Sequence, residues 1–287
     1  MERKIIDLHV HSTYSDGSFT PKELVQEAIK QKLSAFALTD HDTIDGISQL
    51  QAEAAPYDIE IIPGVEVSCS NEGHEIHIVG LYINPTNNNF KSFLKNQIDE
   101  RENRNFKIIQ NLRNQGFDIS LPILTEYFPE SVITRAHMAR YLFDKKYVKS
   151  VLDAFDRYLG DYASCFVKKA ELSPEETIFQ IKAADGIAIL AHPLLYHMSE
   201  KKLRQLVFRL KESGLDGLEA IYSTYAVSEE QQMKKLAKEA NLLISGGSDF
   251  HGSNKPGIQL AIGRGKLYIP YSILEDLKQT YKNKMAT

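Results

Sequence analysis

The chain of 287 residues reads as an α/β fold: a mainly parallel sheet, open or closed, interrupted by an all-helical insertion. Two observations predict this. Short apolar runs alternate with helical patterns in the first and last thirds, and repeated βα units of that kind build parallel sheets. Between them, from 87 to 166, the strand rhythm stops and only helical patterns remain.

In chain order, Lys4–Val10 reads as a strand and Pro21–Gln31 as a helix. Thr20 is placed to cap that helix, with Pro21 at its first position and Glu23 at the spacing of a capping box. Ser34–Leu38, Glu60–Val67 and Ile76–Ile83 read as further strands. Asn87-Asn88-Asn89 ends this rhythm. From Phe90 to Gln115 there is no turn residue until Gly116, and apolar Phe93, Leu94, Ile98, Phe106, Ile108, Ile109 and Leu112 stand among charges, which predicts a long helix. Thr134–Lys145 and Val148–Tyr158 are helical, with Pro122 and Pro129 in the joints between. The charges of the long helix are mixed, with Lys91, Lys95, Arg101, Arg104, Lys107 and Arg113 against Asp99, Glu100 and Glu102, so a solvated face is expected rather than a nucleic-acid stripe. The βα pattern then resumes: helix 174–184, strand Ile187–Leu190, helix Glu200–Glu212, strand Gly217–Ile221, helix Ser228–Glu239 and strand Leu242–Ser245. Residues 1–86 and 167–287 are thus expected to form the α/β body, and 87–166 the helical insertion.

Composition removes several classes. Hydrophobic residues at 43% and charged residues at 25% describe a globular chain, neither disordered nor collagenous. No apolar run approaches the ~18 residues that cross a bilayer, and MERKIIDLHV lacks the features of a signal peptide, so a cytoplasmic protein is expected. Cys69 and Cys165 have no CxxC partner, which argues against a disulfide framework or a thiolate zinc site. A net charge of −4 provides no overall basic face for duplex DNA.

The nine histidines carry the functional signal. His9 and His11 close the first strand, Asp40 and His41 follow the second, Glu66 ends the third, and His77 lies in the fourth. His192 follows Ile187–Leu190, and Asp249 and His251 follow the last strand. In parallel α/β folds that edge of the sheet is where sites are built. In His9-x-His11 the strand period of two puts both imidazoles on one face, within reach of one ion. Asp249-Phe250-His251 repeats the spacing. Imidazoles with carboxylates and no thiolates suit zinc, manganese or iron(II). The candidate ligands are His9, His11, Asp16, His41, Glu66, His77, His192, Asp249 and His251. One ion takes about four to six donors, so more than one ion is implied. Asp16 sits in Ser15-Asp16-Gly17, which is also a good turn. For Asp40 and Asp42 three roles are open, as ligands, as partners that orient His41 or as a cap for the helix that follows, and the orienting role is the one expected. Glu219 also ends a strand, where a part in the site and an ordinary solvated carboxylate are equally open. His74 and His197 are expected to be ordinary residues.

In combination, Asp7-Leu8-His9-Val10-His11-Ser12, Thr39-Asp40-His41-Asp42, Gly64-Val65-Glu66-Val67-Ser68, Ile76-His77-Ile78-Val79-Gly80, Ala191-His192-Pro193 and Gly247-Ser248-Asp249-Phe250-His251-Gly252 resemble the polymerase-and-histidinol-phosphatase (PHP) family of metal-dependent phosphoesterases. The resemblance implies a distorted (βα)7 barrel with a trinuclear centre of Mn2+, Zn2+ or Fe2+. Carried over, it gives His9, His11, Glu66 and Asp249 one metal, Glu66, His77 and His192 a second, and Asp16, His41 and His251 a third. Within the family the chain is most similar to a nucleotide phosphoesterase branch with a helical insertion. That branch removes the 3′-phosphate of nucleoside 3′,5′-bisphosphates, and some members trim RNA from a 5′-monophosphate end. Ile133–Arg140 resembles the branch motif in which the first arginine binds a substrate phosphate. This makes Arg135 the phosphate ligand, suited by its planar, always-charged fork. His137 is placed either beside the phosphate or in helix packing. The chain departs from the branch after His192-Pro193, with Leu194-Leu195-Tyr196 in place of Gly-Arg-Tyr.

The implied reaction is hydrolysis of a phosphate ester by a hydroxide bridging two metals, with Arg135 clamping a phosphate. The proton donor stays open among a metal-bound water, His251 and Asp249. The expected substrate is a nucleotide or short oligonucleotide, and no membrane or duplex DNA partner is expected. The competing readings are a histidinol-phosphate phosphatase and a non-catalytic metal-binding module. Missing ligands would favour the latter, but every ligand position of the pattern is filled.

Overall fold

The computed structural model describes residues 4–129, 131–168 and 172–286. Residues 1–3, on which part of the reading of the N-terminus rests, lie outside these. Seven strands follow one another in chain order around a single sheet: β1 (Ile5–Val10), β2 (Leu33–Leu38), β3 (Glu60–Asn71), β4 (His74–Leu81), β5 (Ile187–Leu190), β6 (Gly217–Tyr222) and β7 (Leu243–Gly247). The first and last strands meet just beyond their ends. Asp249 N–H donates to His9 O at 2.9 Å and His11 N–H to Phe250 O at 3.0 Å, so the sheet curls into a nearly closed barrel. The α/β barrel expected from the sequence is therefore the fold observed.

The barrel is distorted at β4, which runs antiparallel to both β3 and β5. β3 changes partner along its length. Residues 60–63 pair with β2, and 64–71 pair with β4 through a hairpin. The hairpin turn is Glu72-Gly73, with φ of 51° and 86°, the pair of positive angles that a two-residue primed turn requires. His74, expected to be an ordinary residue, is the first residue of β4. Glu66, expected at the end of its strand, lies inside β3, because the strand continues past the parallel segment to pair with β4.

Ten α-helices occur among the described residues: α1 (Pro21–Lys30), α2 (Gly46–Ala54), α3 (Asn88–Asn114), α4 (Leu121–Tyr127), α5 (Arg135–Asp144), α6 (Val151–Ala154), α7 (Pro174–Ala183), α8 (Glu200–Glu212), α9 (Val227–Glu239) and α10 (Tyr271–Met285). The Thr20 capping box on α1 forms as expected. A π-helical turn, Phe155–Leu159, continues α6. Three helices, α2, α4 and α10, are not anticipated by the sequence reading. Asp45 and Pro270 make no side-chain cap to α2 and α10, so their start signals are weak; α4 is capped by Ser120 but spans only 7 residues, too few for a clear helical period.

Strand residues of alternate parity fill two cores. Val65, Val67, Ile76, Ile78, Ala188, Leu190 and Leu218 pack outward against α1, α2, α7, α8 and α9. Ile6, Leu8, Ala37, Ile62, Val79, Leu81, Ile187 and Ile189 form the second cluster, closed by Leu274 and Leu277 of α10. On β4 the strand period puts His77 on the same face as Val79 and Leu81, and on β3 it puts Glu66 with Ile62. The polar cluster described next thus continues a face that is apolar deeper in the barrel.

Helices α3 to α6 enclose a third core of Ile108, Leu112, Leu124, Met138, Leu142 and Leu159. The expected solvated face of α3 holds for Lys91, Lys95, Lys107 and Arg113 but fails at Arg101 and Arg104, which are buried. Both turn toward the barrel, where they meet carboxylates. Arg101 pairs with Asp42 and donates to Ser68 Oγ at 3.1 Å, and Arg104 Nη1 reaches Glu75 Oε2 at 3.2 Å.

Candidate metal centre and phosphate site

The nine candidate ligands converge at one mouth of the barrel. Glu66 is the hub, with Oε2 at 3.1 Å from both His9 Nε2 and His11 Nε2 and 3.3 Å from His41 Nδ1. Its Oε1 lies 2.7 Å from His77 Nδ1 and 2.9 Å from His192 Nε2. Asp16 Oδ1 is 3.2 Å from His251 Nε2, and Asp16 Oδ2 is 3.8 Å from His41 Nε2. Asp249 Oδ1 lies 3.5 Å from His11 Nε2 and 3.2 Å from His251 Nδ1. Four groupings place one donor atom per residue within 4.8 Å of each other: His11, Asp16, His41 and His251; His9, Glu66 and His192; His9, His11 and Asp249; His41, Glu66 and His77. Every residue of the candidate set falls in at least one of them.

Whether these residues suit metal ions is tested by their unsatisfied atoms. His9 Nε2, His11 Nε2, Asp16 Oδ1, His41 Nδ1 and His192 Nδ1 are buried without a hydrogen-bond partner. Buried polar atoms are normally paired because desolvating them unpaired costs roughly 1–3 kcal/mol each. Five such atoms at one place, all of types that ligate zinc, manganese or iron(II), fit a metal centre.

Neighbouring groups fix the ligands' orientation. Glu219 is buried and accepts from His9 Nδ1 at 3.1 Å and, with its other oxygen, from His192 N–H at 2.7 Å. The Nδ1 bond leaves His9 Nε2 as the free donor atom. Asp40 accepts from Ser12 N–H, Ser12 Oγ and Ser15 Oγ at 2.8, 2.6 and 2.5 Å, and Ser15 Oγ lies 3.4 Å from His11 Nδ1. It therefore braces the loop carrying His11, whereas the sequence suggested His41. Asp42 accepts Ser68 N–H at 3.0 Å and pairs with Arg101. Asp7, which the sequence reading did not single out, accepts Ser248 N–H at 2.8 Å and Ala261 N–H at 2.9 Å. It ties β1 to the segment that carries Asp249.

Backbone conformation is unusual at the same residues. Asp42, His192 and Asp249 have φ of 55°, 25° and 56°, a region costly for side chains with a Cβ and commonest at functional sites. Gly247 is required by a close approach: a Cβ there would meet His9 Cβ at 2.1 Å.

Burial works against charge in this cluster, and the neighbours decide the outcome. Burial depresses His77, but Glu66 and Glu75 overcome it and push the imidazole up to about 10. His41 is dominated by burial and falls to about 3 despite Asp16 and Glu66. Burial would raise Glu66, but His9, His77 and His41 hold it well below the ordinary carboxylate range. His41 thus stands neutral and Glu66 ionised, as metal ligation needs, whereas His77 holds a proton between Glu66 and Glu75 that an incoming ion would displace.

Arg135, at the start of α5, stands beside this cluster. Its Nη2 is 2.9 Å from Glu75 Oε2, while Nη1 reaches Leu159 O at 3.1 Å and Asp161 Oδ1 at 3.2 Å. Glu75 in turn lies 3.4 Å from His77 Nε2. Glu75 is absent from the sequence-derived set, although the period of two in Glu75-Ile76-His77 places it on the ligand face. Thr134 caps α5 and donates to Asp16 Oδ2 at 3.3 Å. His137 is buried, packs against Phe128 with the rings tilted by 43°, and its Nδ1 accepts Thr134 N–H at 3.0 Å. Burial lowers it to about 4, so it stands as a neutral helix cap holding Thr134 in place. Arg140 pairs with Asp144 within α5 and reaches Ser253 O at 3.3 Å.

Comparison with known proteins decides the family. A sequence model of the PHP domain matches residues 7–172. The chain belongs to the PHP domain family. As a PHP protein it is a metal-dependent hydrolase of phosphate esters, and it holds His, Asp and Glu groupings that could ligate metal. The chain is 41% identical to a 5′-3′ exoribonuclease of Haemophilus influenzae, over 86% of this chain and 90% of that protein. It is 33% identical to a 3′,5′-nucleoside bisphosphate phosphatase of Chromobacterium violaceum, over 88% of this chain and 89% of the relative. A solved structure from Bifidobacterium adolescentis, assigned as a metal-dependent phosphoesterase, superposes with a TM-score of 0.83 at 25% identity and covers 96% of this chain and 95% of its own. No helix among the described residues of this PHP chain is long and apolar enough to cross a membrane.

Proposed function

We propose that this PHP protein hydrolyses a phosphate ester of a nucleotide, most simply the 3′-phosphate of a nucleoside 3′,5′-bisphosphate, and that 5′-phosphorylated short RNA is a second substrate. The reading is supported by the named relatives, whose activities are those of a bisphosphate phosphatase and an exoribonuclease. The observation that carries it is the pairing of a nine-residue donor cluster with Arg135, which hangs over its His77 edge through Glu75.

We assign three divalent ions, Mn2+, Zn2+ or Fe2+, to the cluster. His9, His11, Glu66 and Asp249 hold one, Glu66, His77 and His192 a second, and Asp16, His41 and His251 a third. When bound, such ions supply Lewis acidity toward phosphoryl oxygens and a nucleophilic hydroxide near neutral pH. The chain's residues do the rest. Glu219 and Ser15 hold the rings of His9 and His11, so their donor atoms need no reorganisation. Arg135 offers its fork to a phosphate, leaving Glu75 and Asp161. Asp249 and His251, adjacent at 3.2 Å, are the side chains placed to handle the leaving-group proton. Residues 1–86 and 167–287 form the catalytic barrel in this reading, and 87–166 cap its mouth through Thr134, Arg101 and Arg135.

The test is phosphate release by manganese-loaded protein from adenosine 3′,5′-bisphosphate, 5′-phosphorylated short RNA and histidinol phosphate, alongside a metal count. Turnover of the nucleotides is expected. Preference for histidinol phosphate, or no turnover by a fully metallated sample, would overturn the proposal.

A further inference from the structure

Lys255 stands at the rim of the cluster and has no part in the role assignments above. It follows a short 3-10 turn, Gly252–Asn254, just beyond β7. Its Nζ pairs with Asp249 Oδ2 and reaches Tyr222 Oη at 2.9 Å, and its side chain is 35% exposed. The two oxygens of Asp249 have separate surroundings. Oδ1 faces His9, His11 and His251, at 3.9, 3.5 and 3.2 Å from their nearest ring nitrogens. Oδ2 faces away from that group and already accepts from Tyr222 Oη at 2.6 Å. Tyr222 thus satisfies Oδ2 without the lysine, and an ammonium with three donors has one left to direct at the opening.

The loop that carries Lys255 is fixed on several sides. Asn254 Nδ2 donates to Asp16 O at 3.0 Å, Ser253 N–H to Ser18 Oγ at 2.8 Å, and Arg140 Nη1 to Ser253 O at 3.3 Å. Its position relative to Arg135 follows from strand order. Arg135 rests on Glu75 of β4, and Lys255 follows β7, which closes on β1. In a ring of seven strands in chain order, β4 and β7 are as far apart as two strands can be. The donor cluster lies between the two cations. A third rim position, after His192-Pro193, holds Leu194 and Leu195 and offers no cation.

We propose that Lys255 is a second phosphoryl-binding subsite, across the cluster from Arg135, which fits the site to substrates with two phosphoryl groups flanking one sugar. This rests on the phosphoesterase reading and extends it. A divalent ion on Asp249 Oδ1 would neutralise the carboxylate and leave the ammonium without its counter-ion, so a substrate phosphate becomes its natural partner. The second group is a phosphomonoester in a nucleoside bisphosphate and a phosphodiester in a 5′-phosphorylated dinucleotide.

The experiment uses the manganese-loaded full chain and its Lys255→Met and Lys255→Arg variants, with metal content measured on each. KM is determined for adenosine 3′,5′-bisphosphate, a 5′-phosphorylated diadenosine dinucleotide and p-nitrophenyl phosphate. The methionine variant is expected to keep its metals and to raise the KM ratio of a two-phosphate substrate to p-nitrophenyl phosphate by about tenfold, the loss of one charge-assisted hydrogen bond, with the arginine variant restoring most of it. A rise confined to the bisphosphate identifies a monoester subsite, and one confined to the dinucleotide a diester subsite. Loss of metal from the methionine variant would make Lys255 a support for Asp249 and overturn the subsite, as would an unchanged ratio. If the wild type turns over none of the three esters, the phosphoesterase reading fails and takes the subsite with it.

Discussion

Glu219 accepts a hydrogen bond from His9 Nδ1 at 3.1 Å and, through its second oxygen, holds the backbone N–H of His192, a residue with φ of 25°. One buried carboxylate therefore sets the ring of one candidate ligand and the strained backbone of another. Carboxylates that orient ligand histidines typically contribute about 10–100-fold in metal affinity. Glu219→Ala is expected to weaken manganese retention by that order in a titration against a chelator, with the far-ultraviolet circular dichroism kept. Unaltered affinity would make Glu219 a packing residue.

Glu66 touches five imidazoles, at 2.7 to 3.3 Å. Glu66→Ala removes a donor shared by two of the assigned ions. The variant should bind fewer metals per chain by elemental analysis and lose turnover. A full complement of metal would contradict the shared-ligand role.

Arg135 contacts Glu75, Asp161 and a carbonyl, and none of the assigned ligands. Arg135→Ala should therefore keep its metal count and mainly raise KM, by about tenfold or more for one lost charge-assisted contact to phosphate. Steady-state kinetics with a parallel metal count separates the two effects. Metal loss would contradict the assignment.

Glu75 gives the protein an acid sensitivity with a definite sign. Burial would raise its carboxyl, but Arg135, the His77 hydrogen bond and Arg104 hold it well below the ordinary 4.5. A carboxyl depressed on folding contributes stability that is complete above its unfolded value and lost as pH falls through the folded one. Replacing it by glutamine leaves the buried Arg104 and the half-buried Arg135 short of a charged partner, at a cost of about 1–3 kcal/mol at pH 7. Urea midpoints of metal-free wild type and Glu75→Gln should differ at pH 7 and converge below about pH 4.5. A gap that stays constant down to pH 3 would show that the carboxylate charge is not what stabilises this corner.

Gly247 tests the packing behind the ligands. A methyl group there would overlap His9 Cβ and approach Glu219 Oε1 at 3.0 Å. Gly247→Ala should cost about 1–3 kcal/mol, as overpacking does, and lower metal affinity by displacing His9. Thermal unfolding and a manganese titration together would check this.

The candidate donor cluster is legible in the sequence because chemistry and strand period coincide. His9-x-His11 and Asp249-x-His251 announce themselves by spacing, and His41 and His192 by following strands. The supporting groups were hidden for physical reasons. Arg101 and Arg104 sit among other charges on α3, and only the tertiary docking of that helix shows that they face Asp42 and Glu75. Lys255 and Tyr222, 33 residues apart, come together on Asp249, a contact without a local pattern. The reversal of β4 was equally hidden, since apolar alternation does not report strand direction. Its signal was the turn Glu72-Gly73, too short for a crossover between parallel strands.

The carboxylate of Asp7 bonds to Ser248 across 241 residues of sequence. The first strand of the barrel and the last are thus stitched together beside the ligands they carry, and neither end can present a complete donor set alone. During synthesis the emerging chain would have His9, His11 and Glu66 in hand long before Asp249 and His251 arrive. A candidate donor set that joins His9 and His11 to Asp249 is assembled only when the sheet closes, so metal uptake is expected to report closure of the ring.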